Sequence, residues 1–262
     1  MPKDKCDIGL IGLGVMGRNL VLNIADHGYA VAVFNRTRET TQKFIKELGP
    51  GQDVRPAYSY EELADLIEPP RAVIVLVPAG KAVDAVLDDL KPVLQKDDLI
   101  IDGGNSHYTD TDRRAETISK AGLHFFGMGI SGGEKGARYG PSMMPGGPEK
   151  EYERVRPILE AASAQAAGTP CVAHLGTGSA GHYVKMVHNG IEYGLMQMLS
   201  ETYALMKQIA GLSNSELARV YGQWNQGKAE SYLVEITADI FQRKDDRTGN
   251  DLIDMILDKA PI

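Results

Sequence analysis

The fold is decided by two stretches of sequence, Ile8-Gly-Leu-Ile-Gly-Leu-Gly-Val-Met-Gly17 and Ala30-Val-Ala-Val-Phe-Asn-Arg-Thr37. Each contains a short apolar run that predicts a buried strand, and the helical pattern Val15–Asp26 lies between the two runs. The first run leads into a G-x-G-x-x-G loop that opens the helix. A strand–helix–strand unit with this loop is typical of dinucleotide-binding sites.

The glycine loop at residues 12–17 has a physical role in such a site. Glycines let the backbone approach a pyrophosphate, and the helix N-terminus offers N–H groups to its charge. The pattern alone is weak, since Gly176-Thr-Gly-Ser-Ala-Gly181 also fits it. No strand follows that second match, which predicts a tight entry from a strand into a helix where side chains would clash. The cofactor contacts predicted here are therefore Gly12, Leu13, Gly14, Val15, Met16 and Gly17.

The end of the second strand distinguishes between cofactors. An NAD site places an acidic residue there to accept a hydrogen bond from the ribose 2′-hydroxyl. This chain has Asn35, Arg36 and Thr37, and its first acidic residue after them is Glu39. A guanidinium at that position pairs with a 2′-phosphate, so we expect NADP rather than NAD.

Strands and helices alternate up to about Thr177. The predicted strands are Ile8–Ile11, Ala30–Phe34, Ala72–Val77, Leu99–Asp102, His124–Gly127 and Cys171–Leu175. The predicted helices are Val15–Asp26, Glu39–Leu48, Lys81–Asp89, Thr109–Lys120 and Lys150–Ala162. This alternation predicts an α/β domain over residues 1–177, a Rossmann-like, doubly wound, mainly parallel sheet.

A partial all-α domain is predicted over residues 178–262. Its first helix spans His182–Ile209, with a narrow buried stripe formed by Val184, Val187, Ile191, Leu195, Met198, Thr202, Leu205 and Ile209. Gly211 is predicted to end this helix and Ser213 to cap the next. Shorter helices are predicted at Ser215–Gly222, Ala229–Phe241 and Asp251–Leu257. The ending Lys259-Ala-Pro-Ile262 is expected to be a truncation.

Glycine-rich or polar segments follow three further strands. They are Val77-Pro-Ala79, Asp102-Gly-Gly-Asn-Ser106 and Ile130-Ser-Gly-Gly133. Open α/β sheets bind ligands at the edge where parallel strands end, so these segments predict the second half of the site.

The long helix carries a polar group made of Lys185, His188, Asn189 and Glu192. Offsets of three, four and seven place them on one helical face. A lysine beside a cofactor can lose its proton through burial and act as a general base, and a carboxylic acid can return a proton. A solvated charged face is the alternative interpretation. The histidines lack metal-binding spacing, so we expect no metal.

The composition excludes several classes of protein. Hydrophobic residues make up 43% and charged residues 24%, and the net charge is −7, which disfavours nucleic acid as a partner. No apolar run approaches the ~20 residues that a membrane helix needs. Cys6 and Cys171 are far apart, and no signal peptide is apparent, so we expect reduced thiols in a cytoplasmic protein.

Taken together, these motifs resemble the 6-phosphogluconate dehydrogenase family. The resemblance rests on the motifs ending at Gly17, Thr37, Ser106 and Gly133, on Gly-Ala-Arg-Tyr-Gly-Pro-Ser142, on Met-Pro-Gly-Gly147 and on Gly-His-Tyr-Val-Lys-Met-Val-His-Asn-Gly-Ile-Glu-Tyr193. It runs from about Ile8 to Lys259. The wider β-hydroxyacid dehydrogenases share the first glycine loop and the lysine–asparagine pair, whereas His188, Glu192 and Tyr193 indicate the decarboxylating branch.

The resemblance implies oxidative decarboxylation of 6-phosphogluconate, a phosphorylated sugar acid, to ribulose 5-phosphate with reduction of NADP, a step of the pentose phosphate pathway. Lys185 would be the base and Glu192 the acid that protonates the enediol. Asn105, Val77, Pro78 and Ala79 would join the glycine loop and residues 35–37 in holding the cofactor. The substrate would be held by Asn105, Ser131, Gly132, Gly133, His188, Asn189 and Tyr193.

Two departures from the family pattern leave alternatives open. Pro78 stands where the family often has lysine, and family members have a longer helical domain that builds a homodimer and binds the substrate phosphate. One alternative is therefore a β-hydroxyacid dehydrogenase for a smaller acid. The other is a truncated chain that binds NADP with little turnover.

Overall fold

The computed structural model describes residues 4–256, and its largest sheet is a mainly parallel one of seven strands. Its strands are β1 Ile8–Ile11, β2 Val31–Phe34, β3 Val54–Pro56, β4 Ala72–Val75, β5 Leu99–Asp102, β6 His124–Ser131 and β7 Ser142–Pro145. The spatial order is β3-β2-β1-β4-β5-β6-β7, and β7 alone of these strands runs antiparallel to its neighbour. This order confirms the predicted Rossmann-like sheet, whose direction of winding changes between β1 and β4.

Helices connect these strands and continue after the sheet. They are α1 Val15–Asp26, α2 Arg38–Lys46, α3 Tyr60–Leu66, α4 Lys81–Leu90, α5 Tyr108–Lys120, α6 Gly133–Tyr139, α7 Glu149–Ala162, α8 Ala180–Gln208, α9 Asn214–Trp224 and α10 Tyr232–Ile240. A small hairpin pairs β8 Gln165–Ala166 with β9 Thr169–Pro170.

Side chains of each central strand alternate between two cores, one on each face of the sheet. In β5, Leu99 and Ile101 lie in one core and Ile100 lies in the other. Helices α1, α2 and α7 cover the first face, and α3, α4 and α5 cover the second. Because both faces are buried, the strands read as continuous apolar runs, which made them visible in the sequence.

One predicted strand is wrong, and two strands of the sheet were not predicted. Residues Cys171–Leu175 form an isolated bridge, Val172 with Met143, instead of a strand. Leu175 donates to the carbonyl of Pro145, which has no N–H to return the bond. The unpredicted strands are β3, which is short and contains arginine, and β7, an edge strand bounded by prolines.

The chain divides into two compact units between Val187 and His188, within α8. The first unit contains the sheet. The second unit, from His188 onward, has a small core formed by Leu217, Tyr221, Val234 and Phe241. The predicted domain boundary at residue 177 stays a prediction.

The predicted buried stripe of the long helix is wrong. Its members Val184, Val187, Ile191, Leu195, Met198, Leu205 and Ile209 are exposed, and Thr202 is half-buried. Within the second unit the helix packs through another face, formed by Leu199, Tyr203 and Met206. The residues of α8 that are buried are Gly181, His182 and Lys185.

The predicted helix ends in the second unit agree with the structure in part. Gly211 has a φ of +69°, and Ser213 caps α9 in a capping box with Glu216. Helix α10 begins at Tyr232, later than the predicted Ala229, because Ser231 provides its cap. The last predicted helix is a 3-10 helix at Leu252–Met255, and Leu257 and the ending at Lys259 lie outside the described residues.

Candidate active site

The three glycines of the first loop have different steric surroundings. Gly12 has a φ of +103°, and a Cβ there would overlap the carbonyl oxygen of Leu76. A Cβ on Gly17 would overlap the carbonyl oxygen of Gly12. The absence of a side chain at Gly17 therefore allows α1 to approach the loop closely. Gly14 is the N-cap of α1, and a Cβ on it would meet no atom of residues 4–256 within 4 Å. A backbone with open space at the N-terminus of a helix fits a pyrophosphate.

Asn35 at the end of β2 holds this loop in place. Its Oδ1 accepts a hydrogen bond of 3.0 Å from the backbone N–H of Leu13. The side chains of Leu13 and Met16 pack into the core. These two residues can therefore offer only their backbone to a ligand at the loop. The side chain of Val15, in contrast, is exposed.

A pocket of about 260 Å³ lies beside the loop at the change of winding. Six of the predicted cofactor residues line it, namely Gly12, Asn35, Arg36, Thr37, Val77 and Pro78, while Ala79 is exposed directly after Pro78. Tyr60 and Asp89 also line the pocket and were not predicted. Burial and the nearby negative charge of Asp89 raise the pKa of Tyr60 to about 12.

The segment after β5 forms a turn around the carboxylate of Asp102. This buried carboxylate accepts hydrogen bonds from the Gly104 N–H at 3.0 Å and from the Ser106 hydroxyl at 2.6 Å. Asn105, between two buried residues, is exposed. The turn thus projects the Asn105 side chain at the edge of the sheet where ligands bind.

The turn also contacts Arg114 on α5, another residue that was not predicted. Its guanidinium is buried and donates to the Ser106 hydroxyl at 2.9 Å. It also donates to Asp84, and this hydrogen bond is the main reason that the pKa of Asp84 lies below its usual value.

The third predicted segment closes the same edge. Ser131 is the last residue of β6 and is half-buried, and Gly132 and Gly133 are exposed and lead into α6. Both glycines have positive φ angles, which explains why glycine is required at this turn.

Two glycines of β6 receive two side chains of α8. A Cβ on Gly127 would overlap the ring of His182, and a Cβ on Gly129 would lie 2.5 Å from the Cβ of Lys185. Residues two apart on a strand share a face, as do residues three apart on a helix. Lys185 is therefore buried on β6, the strand that ends at Ser131.

His182 is a further residue that was not predicted. Its Nδ1 lies 2.6 Å from the hydroxyl of Thr111 on α5. Burial lowers the pKa of His182, because desolvation disfavours the imidazolium. The ring is neutral at pH 7.

The remaining predicted site residues belong to the second unit. The Nδ1 of His188 lies 3.2 Å from Oδ1 of Asn189 and 3.8 Å from Oε2 of Glu192. His188, Asn189 and Glu192 are half-buried, and Tyr193 is 70% exposed. The imidazole, amide and carboxylate thus form one local cluster.

The second glycine motif fits the steric interpretation. A Cβ on Gly181 would overlap the carbonyl oxygens of Met144 and Gly127, so the glycine permits α8 to pack on the sheet. The segment before the motif is not a strand, contrary to the prediction.

Two kinds of feature are absent from residues 4–256. No group of three or more His, Cys, Asp or Glu side chains within residues 4–256 is arranged to hold a metal ion. In the part of the chain that the structure describes, no helix has the length and apolar content to cross a bilayer.

Family models match both parts of the chain. The NAD binding domain of 6-phosphogluconate dehydrogenase matches residues 7–176, and the C-terminal domain of 6-phosphogluconate dehydrogenase matches residues 181–261. The chain belongs to the 6-phosphogluconate dehydrogenase family. The resemblance identified from the motifs is thereby confirmed.

Curated members of the 6-phosphogluconate dehydrogenase family are about half identical to this chain. An NADP(+)-dependent, decarboxylating 6-phosphogluconate dehydrogenase of Bacillus subtilis (strain 168) is 53% identical over 256 residues, which are 98% of this chain and 54% of that protein. A decarboxylating 6-phosphogluconate dehydrogenase of Escherichia coli (strain K12) is 51% identical over 257 residues, with the same shares. The chain spans about half the length of the curated relatives it matches.

Solved structures support the same family. The Plasmodium falciparum 6-phosphogluconate dehydrogenase, described in its apo form and in complexes with NADP+ and with 6-phosphogluconate, superposes with a TM-score of 0.91 at 48% identity. The match covers 98% of this chain and 55% of that one. A 3-hydroxyisobutyrate dehydrogenase of Mycobacterium tuberculosis superposes with a TM-score of 0.71 at 22% identity, over 87% of this chain and 72% of that one, which shows a shared fold.

Proposed function

We propose that this chain carries the catalytic machinery for NADP-dependent oxidative decarboxylation of 6-phosphogluconate to ribulose 5-phosphate and CO₂. The observation that carries the proposal is the burial of Lys185 against Gly129, on the strand that leads to Ser131. Membership of the family and the names of its curated relatives support the same reaction.

NADP would be held by the glycine loop, the end of β2 and the segment after β4. Gly14 and the first turn of α1 would receive the pyrophosphate, and Arg36 and Thr37 would bind the 2′-phosphate. Bound NADP supplies the hydride acceptor for C3 of the substrate. Asn105, projected by the Asp102 turn, would contact both ligands.

Lys185 would act first as a base and then as an acid. Its Nζ takes the proton of the 3-hydroxyl while the hydride leaves C3, which gives a 3-keto acid. The bond to the carboxylate then breaks, CO₂ leaves, and its electron pair moves towards the former ketone, whose oxygen takes the proton back from Lys185 to give an enediol. The ammonium of Lys185 stabilises the developing oxygen charge, so the ketone serves as the electron sink.

Glu192 would complete the reaction by protonating the carbon that lost the carboxylate, while Lys185 would accept the proton of the enediol hydroxyl to give the ketone. Its partner at 3.8 Å, His188, would help to hold the substrate together with Asn189 and Tyr193. Ser131, Gly132 and Gly133 would hold the substrate from the end of β6. Each of these roles requires a short polar contact and no metal.

An assay with 6-phosphogluconate and NADP tests the proposal. Formation of NADPH together with CO₂ supports it. NADPH without CO₂, formed from a small hydroxy acid, would instead assign a β-hydroxyacid dehydrogenase. NADP binding in calorimetry without turnover of either acid would assign a cofactor-binding chain and overturn the catalytic proposal.

The variant Lys185→Met tests the base. It should abolish oxidation of the substrate while NADP affinity stays nearly unchanged, because the proposed role concerns the substrate proton. An active Lys185→Met protein would contradict the assignment. The matched control is Lys207→Met, since Lys207 lies on the same helix and pairs with Asn214 and Asp254.

We also propose a homodimer in the cytoplasm as the biological setting. The exposed apolar stripe of α8 supports self-association. Cys6 and Cys171 are unpaired in the structure, which fits a reducing compartment. Sedimentation at several protein concentrations tests the dimer.

A further inference from the structure

Arg114 occupies a position on α5 where an apolar residue would be expected. The buried residues of this helix are Thr111, Arg114 and Ile118, at the helical spacing of three and four. The Arg114 side chain is 1% exposed. A charged group is rarely buried to this degree unless several partners hold it.

The guanidinium of Arg114 makes hydrogen bonds to two separate segments of the site. On one side, Nε donates to Oδ1 of Asp84 at 2.8 Å and Nη2 donates to the carbonyl of Gly80 at 3.0 Å. On the other side, Nη1 donates to the Ser106 hydroxyl at 2.9 Å and to Oδ2 of Asp102 at 3.4 Å. Gly80 directly follows the segment 77–79, and Ser106 directly follows Asn105.

If Arg114 only neutralised the buried Asp102 carboxylate, one contact between the two side chains would suffice. Arg114 instead uses all three of its nitrogens, and two of them reach the start of α4 rather than Asp102. The planar guanidinium has a fixed fork geometry, so it sets the distance between the groups that it joins. The loops after β4 and β5 are thereby held at one separation.

We propose that Arg114 is a positioning residue that fixes Asn105 relative to the segment 77–79 and so shapes the nicotinamide half of the cofactor site. The inference rests on the proposed NADP function. Arg114 acts through Ser106 and Asp102, whose turn leaves Asn105 exposed. Arg36 and Thr37 share a pocket with Val77 and Pro78, but they follow β2, whereas the hydrogen bonds of Arg114 go to the loops after β4 and β5.

The experiment compares Arg114→Lys with Arg113→Lys in the full 262-residue chain. Lysine keeps the charge and loses the fork. Arg113 is the matched control, because it also pairs with Asp84 but is 55% exposed. Calorimetry measures the affinity for NADP and for 2′,5′-ADP, which contains only the adenosine half.

Arg114→Lys should weaken NADP binding by about tenfold, the size expected for losing a hydrogen bond to a charged group, and should leave 2′,5′-ADP within about twofold. Asn105→Ala should weaken NADP binding by a similar factor. The double variant should bind NADP no more weakly than the single variant with the lower affinity, because both changes remove the same contact. Unchanged NADP affinity in Arg114→Lys, or full additivity with Asn105→Ala, would overturn the proposal.

Amide hydrogen exchange provides a readout that does not depend on cofactor binding. Exchange at residues 103–106 should accelerate in Arg114→Lys and stay unchanged in Arg113→Lys. If the parent chain does not bind NADP, the proposed function fails, yet unaltered exchange at these residues would separately refute the positioning role. Should Arg114→Lys fail to fold, Asp84→Asn serves as a milder variant with the same expectations, since Asp84 lies partly in solvent.

Discussion

The Cβ of Lys185 occupies the space that a side chain on Gly129 would need, at 2.5 Å from where that Cβ would lie. The glycine and the lysine are thus one packing unit that joins α8 to β6. The proposed catalytic base is positioned by the absence of a side chain on the strand beneath it.

Gly129→Ala should destabilise the first unit by about 1–3 kcal/mol, because the added methyl group overpacks the contact with Lys185. Urea unfolding measures this as a lower midpoint with an unchanged slope. The matched control is Gly194→Ala, where a Cβ would have open space around it within the described chain. That control should stabilise its helix by about 1 kcal/mol. An unchanged midpoint in Gly129→Ala would mean that the helix moves away at no cost.

Stability should fall as the pH drops below about 6.5, the ordinary pKa of the histidine. Burial lowers the pKa of His182 in the folded protein, so below that pH the unfolded chain binds a proton that the folded chain does not. The loss approaches about 1.4 kcal/mol per pH unit until the folded pKa is reached. Urea unfolding between pH 7.5 and pH 5 measures this slope. It should flatten in His182→Asn and persist in His107→Asn, and an equal slope in both variants would exclude His182 as the cause.

Arg36→Glu should weaken NADP binding by about tenfold to a hundredfold and NAD binding far less, because only NADP brings a 2′-phosphate to this pocket. The effect should shrink at high salt. Arg38→Glu is the control, since the Arg38 guanidinium lies 4.2 Å from the ring centroid of Tyr58 and does not line the pocket. Calorimetry with both cofactors measures the difference. Equal losses for NADP and NAD would contradict the 2′-phosphate role of Arg36.

Asp89→Asn should strengthen NADP binding by about twofold to fivefold, the size of a surface charge effect. The Asp89 carboxylate lines the same pocket as Arg36 and repels a phosphate there. The pKa of Tyr60 should fall below about 12, since burial remains but the charge of Asp89 is lost. Asp88→Asn, a change at the neighbouring exposed residue paired with Lys91, should leave both quantities unchanged. Weaker NADP binding in Asp89→Asn would show that the carboxylate contacts the cofactor favourably.

Sequence patterns predict β1 and α1 to the residue, because a buried apolar run ends at glycines with a steric role. They miss α3, although Ser59 and Glu62 carry the S-x-x-E signature of a helix start. Apolar periodicity also misplaced the buried face of α8. Gly181, His182 and Lys185 pack on the sheet where glycines leave room, and periodicity does not reveal this.

Sequence patterns predicted the pocket residues that follow strands and missed those that lie on helices. Arg36 and Pro78 follow strands whose ends are readable, whereas Tyr60 and Asp89 belong to helices that reach the pocket through tertiary packing. Arg114 left a weak signal, since it stands at an apolar position of α5 between Thr111 and Ile118. A charged residue in a helical core stripe indicates a buried polar network, and its partners appear only in three dimensions.

Gly127 and Gly129 of β6 allow α8 to pack on the strand in only one register. His182 and Lys185 fit Gly127 and Gly129 at one alignment, and a shift by one residue would turn each side chain by about 100° away from its glycine. Directed evolution therefore cannot move the proposed base by small, graded steps. Variants that place the amine elsewhere would have to change the strand and the helix together, so adaptation to substrates of another size should proceed through the loops instead.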